Sequence, residues 1–205
     1  MNIEQAQAIL ESSLRVSLAD VGFWRSGDLT FSRKIGHATG ALTLACRVDP
    51  LEQAWFAGNV TLHFEALADL LADETSDRRP HLLIPLHLLR QKGEFREWSF
   101  RGAGDIRAAV DSFLIDVREL AVPFLLKYSE LSAVREHLDS ENPADWFLMS
   151  PEDRIVMLAA IRFVGGDRAA ALSDVRQALA ARISALPKKR RALEDIEEKM
   201  RSRIV

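Results

Sequence analysis

The spacing of apolar residues changes twice along the chain, and each change marks a new backbone period. Ile3, Ala6, Leu10, Leu14, Leu18 and Val21 recur at helical intervals and predict an amphipathic helix over residues 3–20. Gly22 suits its C-cap, because glycine takes positive φ at no steric cost. The period then falls to two. Leu29, Phe31, Arg33 and Ile35 alternate with Thr30, Ser32 and Lys34, and Leu42, Leu44, Cys46 and Val48 alternate with Thr43, Ala45 and Arg47. Phe56, Val60, Leu62 and Phe64 alternate with Asn59, Thr61 and His63. Turn formers at 26–28, 36–40 and 49–50 separate these runs. The pattern predicts an antiparallel meander with one buried face. Residues 81–88 predict a further strand, pushed to an edge by Pro80 and Pro85. Residues 95–100 predict another, with Trp98 and Phe100 on one face.

After Gly104 the pattern is helical. Ile106, Val110, Phe113, Leu114, Val117 and Leu120 form one apolar stripe, with Asp105, Ala109, Ser112, Asp116 and Glu119 opposite. Pro123 is expected to kink or end this helix. Ser129 predicts the cap of a short helix to Leu138, and Asn142-Pro143 a break. Ser150-Pro151-Glu152-Asp153 is a helix start: a hydroxyl cap, proline in the first turn, then acids at the positive dipole end. That helix is expected to end at Gly165-Gly166, a second to run over 167–186, and a last to open at Pro187.

Strands and helices are thus segregated, which predicts an α+β fold. Its parts are an N-terminal helix, an antiparallel β-sheet of four to five strands, and a helical C-terminal half. The expected organisation is an α+β domain over residues 1–140 and a helical extension over 150–205. The extension either forms a separate domain or completes the core of the first.

Composition narrows the partners. A chain of 205 residues buries roughly 70% of its unfolded surface and needs no disulfide or metal to fold. The net charge of −3 supplies no global field for nucleic acid or anionic lipid. The single cysteine, Cys46, forms no internal disulfide or multi-cysteine zinc site and reads as a small hydrophobe in a strand. Residues 1–5 lack the basic and apolar segments of a signal peptide, and no apolar run approaches the roughly 20 residues that span a bilayer. The expected location is the cytoplasm, with no membrane partner.

The run Gly22-Phe23 … Phe31-Ser32-Arg33, placed where the first helix hands over to strands, resembles a bacterial family, domain of unknown function 4304. Trp98-Ser99-Phe100, the helix from Asp105, and Pro123-Phe124-Leu125 follow in similar order, so the resemblance covers about residues 5–138. It implies a bacterial α+β protein and supplies no activity. Small α+β domains of this sort also resemble bacterial immunity proteins, which bind and block toxins, an analogy at the level of fold.

Candidate chemistry is sparse. His81 and His87 are six residues apart with Pro85 between them, and read as polar positions on an edge segment rather than metal ligands. The other histidines, His37, His63 and His137, complete no ligand spacing. Asp105, Asp116 and Glu119 read as a solvated helix face beside Arg107 and Arg118, not as a carboxylate pair in a cleft. Gly102-Ala103-Gly104 lacks the third glycine of a dinucleotide turn. Gly166, Asp167, Ala171, Ala178 and Pro187 have the spacing of one tetratricopeptide-type hairpin, read as two antiparallel helices packed through alanines. Lys188-Lys189-Arg190-Arg191 is followed by Glu194, Asp195, Glu197 and Glu198, so the tail neutralises itself at i,i+4 spacing. This argues against nucleic-acid binding. The basic run is expected to precede the last helix, because cations at a helix start oppose the dipole. No cofactor or metal is expected.

The candidate site is the exposed sheet face, with Arg33, Arg47, Asn59, Thr61 and His63 as binding residues. The expected function is a non-catalytic module that binds another protein through this face. The alternative is an enzyme or small-ligand-binding protein whose dispersed site uses Arg33, Arg47 and His63, with Glu65, to bind an anion and move a proton. Self-association through the C-terminal helices is a third expectation.

Overall fold

The structure, a computed structural model, describes residues 1–71, 81–90, 94–142, 147, 149–180 and 187–203, the first three of the last stretch by backbone alone. Proline 80, Pro143 and the expected helix end at 181–186 lie outside the described residues. The chain divides into two units: Met1–Leu62 with Leu82–Ser129, and His63–His81 with Glu130–Val205.

In the first unit, helix α1 (Ile3–Ala19) starts on a capping box. The Asn2 side chain accepts from Gln5 N at 2.9 Å, and Gln5 Oε1 accepts from Asn2 N at 3.0 Å. Its apolar stripe, Ala6, Leu10, Leu14 and Leu18, is buried as the periodicity predicts. Gly22 takes φ +80 and ends the helical exit. Among the described residues six antiparallel strands form the sheet: β1 (Trp24–Gly27), β2 (Thr30–Ile35), β3 (Ala38–Val48), β4 (Ala54–Phe64, its last two residues in the second unit), β5 (Leu82–Pro85) and β6 (Trp98–Phe100). Their order is β1-β2-β3-β4-β5, with β6 also paired to β4.

The sequence pattern does not show β1. It is a short edge strand with largely exposed side chains and a register shift between Arg25 and Gly27, so it carries no alternation. Leu29, expected in the next strand, instead turns the chain with φ 48 while its side chain stays buried. The segment expected as one strand over 81–88 is also shorter. Its ladder ends at Pro85 opposite Asn59, and residues Leu86–Leu89 form a 3₁₀ turn.

One face of the sheet carries the core. Phe31, Leu42, Phe56, Val60 and Leu62 are buried there, and α3 (Ile106–Asp116) adds Val110, Phe113 and Leu114. Phe113 meets Phe56 and Trp98 edge-on at 5.6 and 5.0 Å between ring centres, a favoured aromatic arrangement. The helix does not end at Pro123. Residues Val117–Ala121 widen into a π turn, Val122 N donates to Val117 O, and α4 (Val122–Lys127) continues. The physical reason is that proline lacks an N–H and its ring clashes with the carbonyl four residues back; a π turn accommodates both.

The second unit comprises α2 (Glu65–Leu71), α5 (Leu131–Leu138), α6 (Pro151–Val164), α7 (Arg168–Ala180) and α8 (Pro187–Ser202) among the described residues. Ser150 caps α6 as expected, accepting from Asp153 N at 3.2 Å. Ser129 does not cap α5; its hydroxyl donates to Leu126 O at 2.9 Å, and Glu130 holds the cap position. α6 packs on α7 with Ala159, Ala160, Ala171 and Ala178 buried, as the small-residue spacing predicts. The basic run does not precede α8 but forms its first turn. Pro187 starts that turn, and Arg190–Glu194 at 2.9 Å offsets the unfavourable dipole end, while Arg201, paired with Glu197 at 2.6 Å, sits in the last turn, where a cation is favourable. Leu193, Ile196 and Met200 of α8 are buried.

Candidate functional site

Strand alternation puts every second residue of the first unit's sheet on the face away from Phe31 and Leu42. Cross-strand pairing then assembles a row. Trp24 pairs with Ser32, Ser32 with Ala41, and Thr61 with Leu83. The Thr61 hydroxyl donates to Ala41 O at 3.4 Å and joins the two halves. Trp24, Ser32, Ala41, Thr61 and Leu83 therefore cross five strands, a span of about 19 Å at ~4.8 Å per strand. The middle of the row is small and uncharged, and its two hydroxyl residues, Ser32 and Thr61, are buried. Ser32 Oγ lies 2.6 Å from Ser26 Oγ. Its two ends are large apolar side chains in water, Trp24 at 49% exposure and Leu83 at 46%.

The predicted residues divide over this frame. Asn59 and Thr61 lie on the face away from the core, Asn59 half-buried there, but Thr61 is buried and not exposed as expected, because its hydroxyl turns onto the Ala41 carbonyl. Arg47 belongs to the same face, near its 49–53 turn. Its guanidinium pairs with Glu97 at 2.8 and 3.3 Å and lies 5.3 Å over the Trp55 ring. Trp55 Nε1 in turn donates to Asp49 Oδ2 at 3.2 Å. The Gln53 backbone donor, then the Trp55 indole, with Leu51 N and the Arg47 charge adding less, hold the Asp49 carboxyl below its ordinary range.

Arg33 is not on the open face. It shares the helix-covered face with Phe31 and Ile35, donates to Val21 O at 3.0 Å and lies over the Phe23 ring. Its register partner is Gly40, but the guanidinium lies at the exit of α1, with Nε 3.6 Å from where a Cβ on Gly22 would stand. His63 stands at the end of β4, in the second unit, and stacks on His81 at 4.5 Å between ring centres. His81 Nδ1 accepts from Phe64 N at 2.9 Å. Burial, and then the neighbouring His63, lower the His81 pKa to about 4. His81 and His87 therefore do not line one strand: His87 belongs to the 3₁₀ turn, edge-on to Phe95 at 5.1 Å.

Asp116 is likewise not on a solvated helix face. Its side chain is 3% exposed and paired with Arg90 and Arg96. Helical spacing put it among polar residues; nothing local signals that two arginines from a distant connection reach it. Among the described residues no three His, Cys, Asp or Glu side chains converge as metal ligands, and no helix is long and apolar enough to cross a membrane.

The fold and site define an α+β protein with an antiparallel sheet covered by helices on one face and a helical C-terminal half. No family model matches the chain, and no curated protein or solved structure matches it.

Proposed function

We propose that this chain is a non-catalytic protein-interaction module that docks a partner protein on the open sheet face of its first unit. The observation that carries this reading is the row Trp24–Ser32–Ala41–Thr61–Leu83, neutral and largely buried at its centre, with exposed apolar side chains at both ends. An exposed tryptophan and leucine flanking a neutral, already largely dry strip have the layout of an interface whose few large anchors carry most of the binding energy. Charge complementarity specifies the partner's chemistry. A charged group over Ser32, Ala41 and Thr61 would lose water without gaining a counter-charge. The partner therefore presents an uncharged, hydroxyl- or amide-bearing surface with apolar side chains set to meet Trp24 and Leu83. In its most specific form the partner is a bacterial toxin that the chain neutralises, which the fold-level analogy to immunity proteins supports.

The enzymatic alternative draws less support. Arg33 and Arg47 lie on opposite faces of the sheet, and Arg47 is already engaged by Glu97. Self-association through the C-terminal helices is weakened because α8 buries Leu193, Ile196 and Met200 within its own unit.

The test is capture from native lysate with the whole chain and three variants. Trp24→Ser and Leu83→Ser are expected to lose a stoichiometric protein that the parent and Val16→Ser retain, Val16 being 72% exposed on α1. Equal capture by all four proteins, or none by any, overturns the reading.

A further inference from the structure

β5 and β6 both pair with the same side of β4, β5 along Asn59–Leu62 and β6 along Ala54–Phe56. They are two parts of one interrupted edge strand, and the described residues between them, 86–90 and 94–97, are outside the ladder. These residues include Arg90 and Arg96. Both side chains reach Asp116, at the end of α3 and directly before the π turn. Arg90 Nη2 donates to Asp116 Oδ1, and Arg96 Nη1 lies 3.4 Å from both carboxylate oxygens. Arg96 Nη2 donates to Ser112 Oγ at 2.6 Å, and the guanidinium lies 5.3 Å over the Trp98 ring.

We infer that Arg90 and Arg96 form a binding site for the oxyanion group, phosphate or carboxylate, of a small ligand. Three observations carry this. First, the charges do not balance. Two guanidiniums share one buried carboxylate, and among the described residues no second carboxylate pairs with either. A stabilising ion pair needs one cation; the second adds repulsion that an incoming anion relieves. Second, the donors are in excess. Each guanidinium offers five N–H groups in a rigid fork. The contacts above engage Nη2 of Arg90 and the two Nη atoms of Arg96, while Arg90 Nε and Trp98 Nε1, both buried, have no partner among the described residues. Third, the forks are held and reachable. Asp116, Ser112 and the Trp98 ring fix them from below, yet the side chains remain 33% and 36% exposed. Donors fixed before binding lose little freedom on binding, and bidentate Arg–oxyanion pairs are among the stronger hydrogen-bonded contacts. Phe95, next in sequence to Arg96 and 68% exposed, offers an apolar wall for the rest of the ligand. The site uses none of the residues proposed for protein docking.

The experiment titrates the whole chain with inorganic phosphate and, separately, with acetate, at constant ionic strength. Readouts are the Trp98 indole N–H resonance and the thermal midpoint. Saturable movement of both readouts, with a Kd in about the millimolar range, is expected for at least one anion. The tighter of the two identifies the ligand's group as phosphate or carboxylate. Arg96→Gln is expected to weaken binding at least about tenfold, whereas Arg107→Gln, an exposed arginine on α3, leaves it unchanged. If R96Q does not fold, R96K serves instead: it keeps the charge, loses the fork, and is expected to bind several-fold more weakly. Failure of both anions to saturate, equal weakening by R107Q, or parent-like binding by R96K overturns the inference.

Discussion

A methyl group on Gly40 of β3 would lie 2.7 Å from Cδ2 and 3.0 Å from Cδ1 of Leu125 in α4. The Leu125 side chain therefore occupies the space that a Cβ at position 40 would take. Gly40→Ala is expected to destabilise the chain by about 1–3 kcal/mol through overpacking. The urea midpoint measures it. Leu125→Ala in the same chain opens the space, so the cost of Gly40→Ala should shrink in the double variant.

Arg33 was a binding candidate, and its contacts make it a clamp on the exit of α1. Its guanidinium closes the Val21 carbonyl and covers Phe23. Arg33→Met is expected to cost about 1 kcal/mol of stability, the loss of one hydrogen bond to a charged donor partly offset by retained packing. Partner capture through the open face should be unaffected. Loss of capture in a folded R33M protein would restore Arg33 to the binding surface.

The His81 imidazole gives the second unit a pH dependence of definite sign. Its folded pKa is near 4, against 6.5 for the free side chain. Between these values the unfolded chain holds a proton that the folded chain does not. Stability is therefore full above about pH 6.5 and falls as the pH drops toward 4, by about 1.4 kcal/mol per unit and at most about 3 kcal/mol. His81→Gln can still accept from Phe64 N and does not titrate. Urea unfolding at pH 4.5 and 7.5 should show a smaller difference for H81Q than for the parent.

Burial raises the pKa of the Cys46 thiol. A thiol so placed holds less thiolate than free cysteine, and the thiolate is the reactive form. Labelling by an aromatic disulfide at pH 8 should be several-fold slower in the native chain than in urea. Equal rates would remove Cys46 from the partly buried strand position.

Much of the open face is legible in the sequence. Asn59, Thr61 and Arg47 alternate with core residues, and alternation in a half-buried sheet assigns them outward. Arg33 breaks the rule because an arginine occupies an apolar register position, with its charge satisfied by a carbonyl twelve residues earlier. Trp24 escaped because an edge strand of four residues with a register shift has no period to detect. Asp116 followed its helix's polar stripe, while its real surroundings come from residues 20 and 26 positions earlier.

What the sequence determined by itself is the set of elements and the class they build. Helical and strand periods, the Asn2 and Ser150 caps and the turn residues act within a few residues of one another, so their consequences are visible locally. Tertiary structure alone decided that Trp24 and Leu83 end one row, that β5 and β6 are one interrupted strand, and that Arg90 and Arg96 meet at Asp116. Those meetings depend on strand order and register between segments far apart in the chain. Register is set by collective burial of one face and not by any residue that takes part in them.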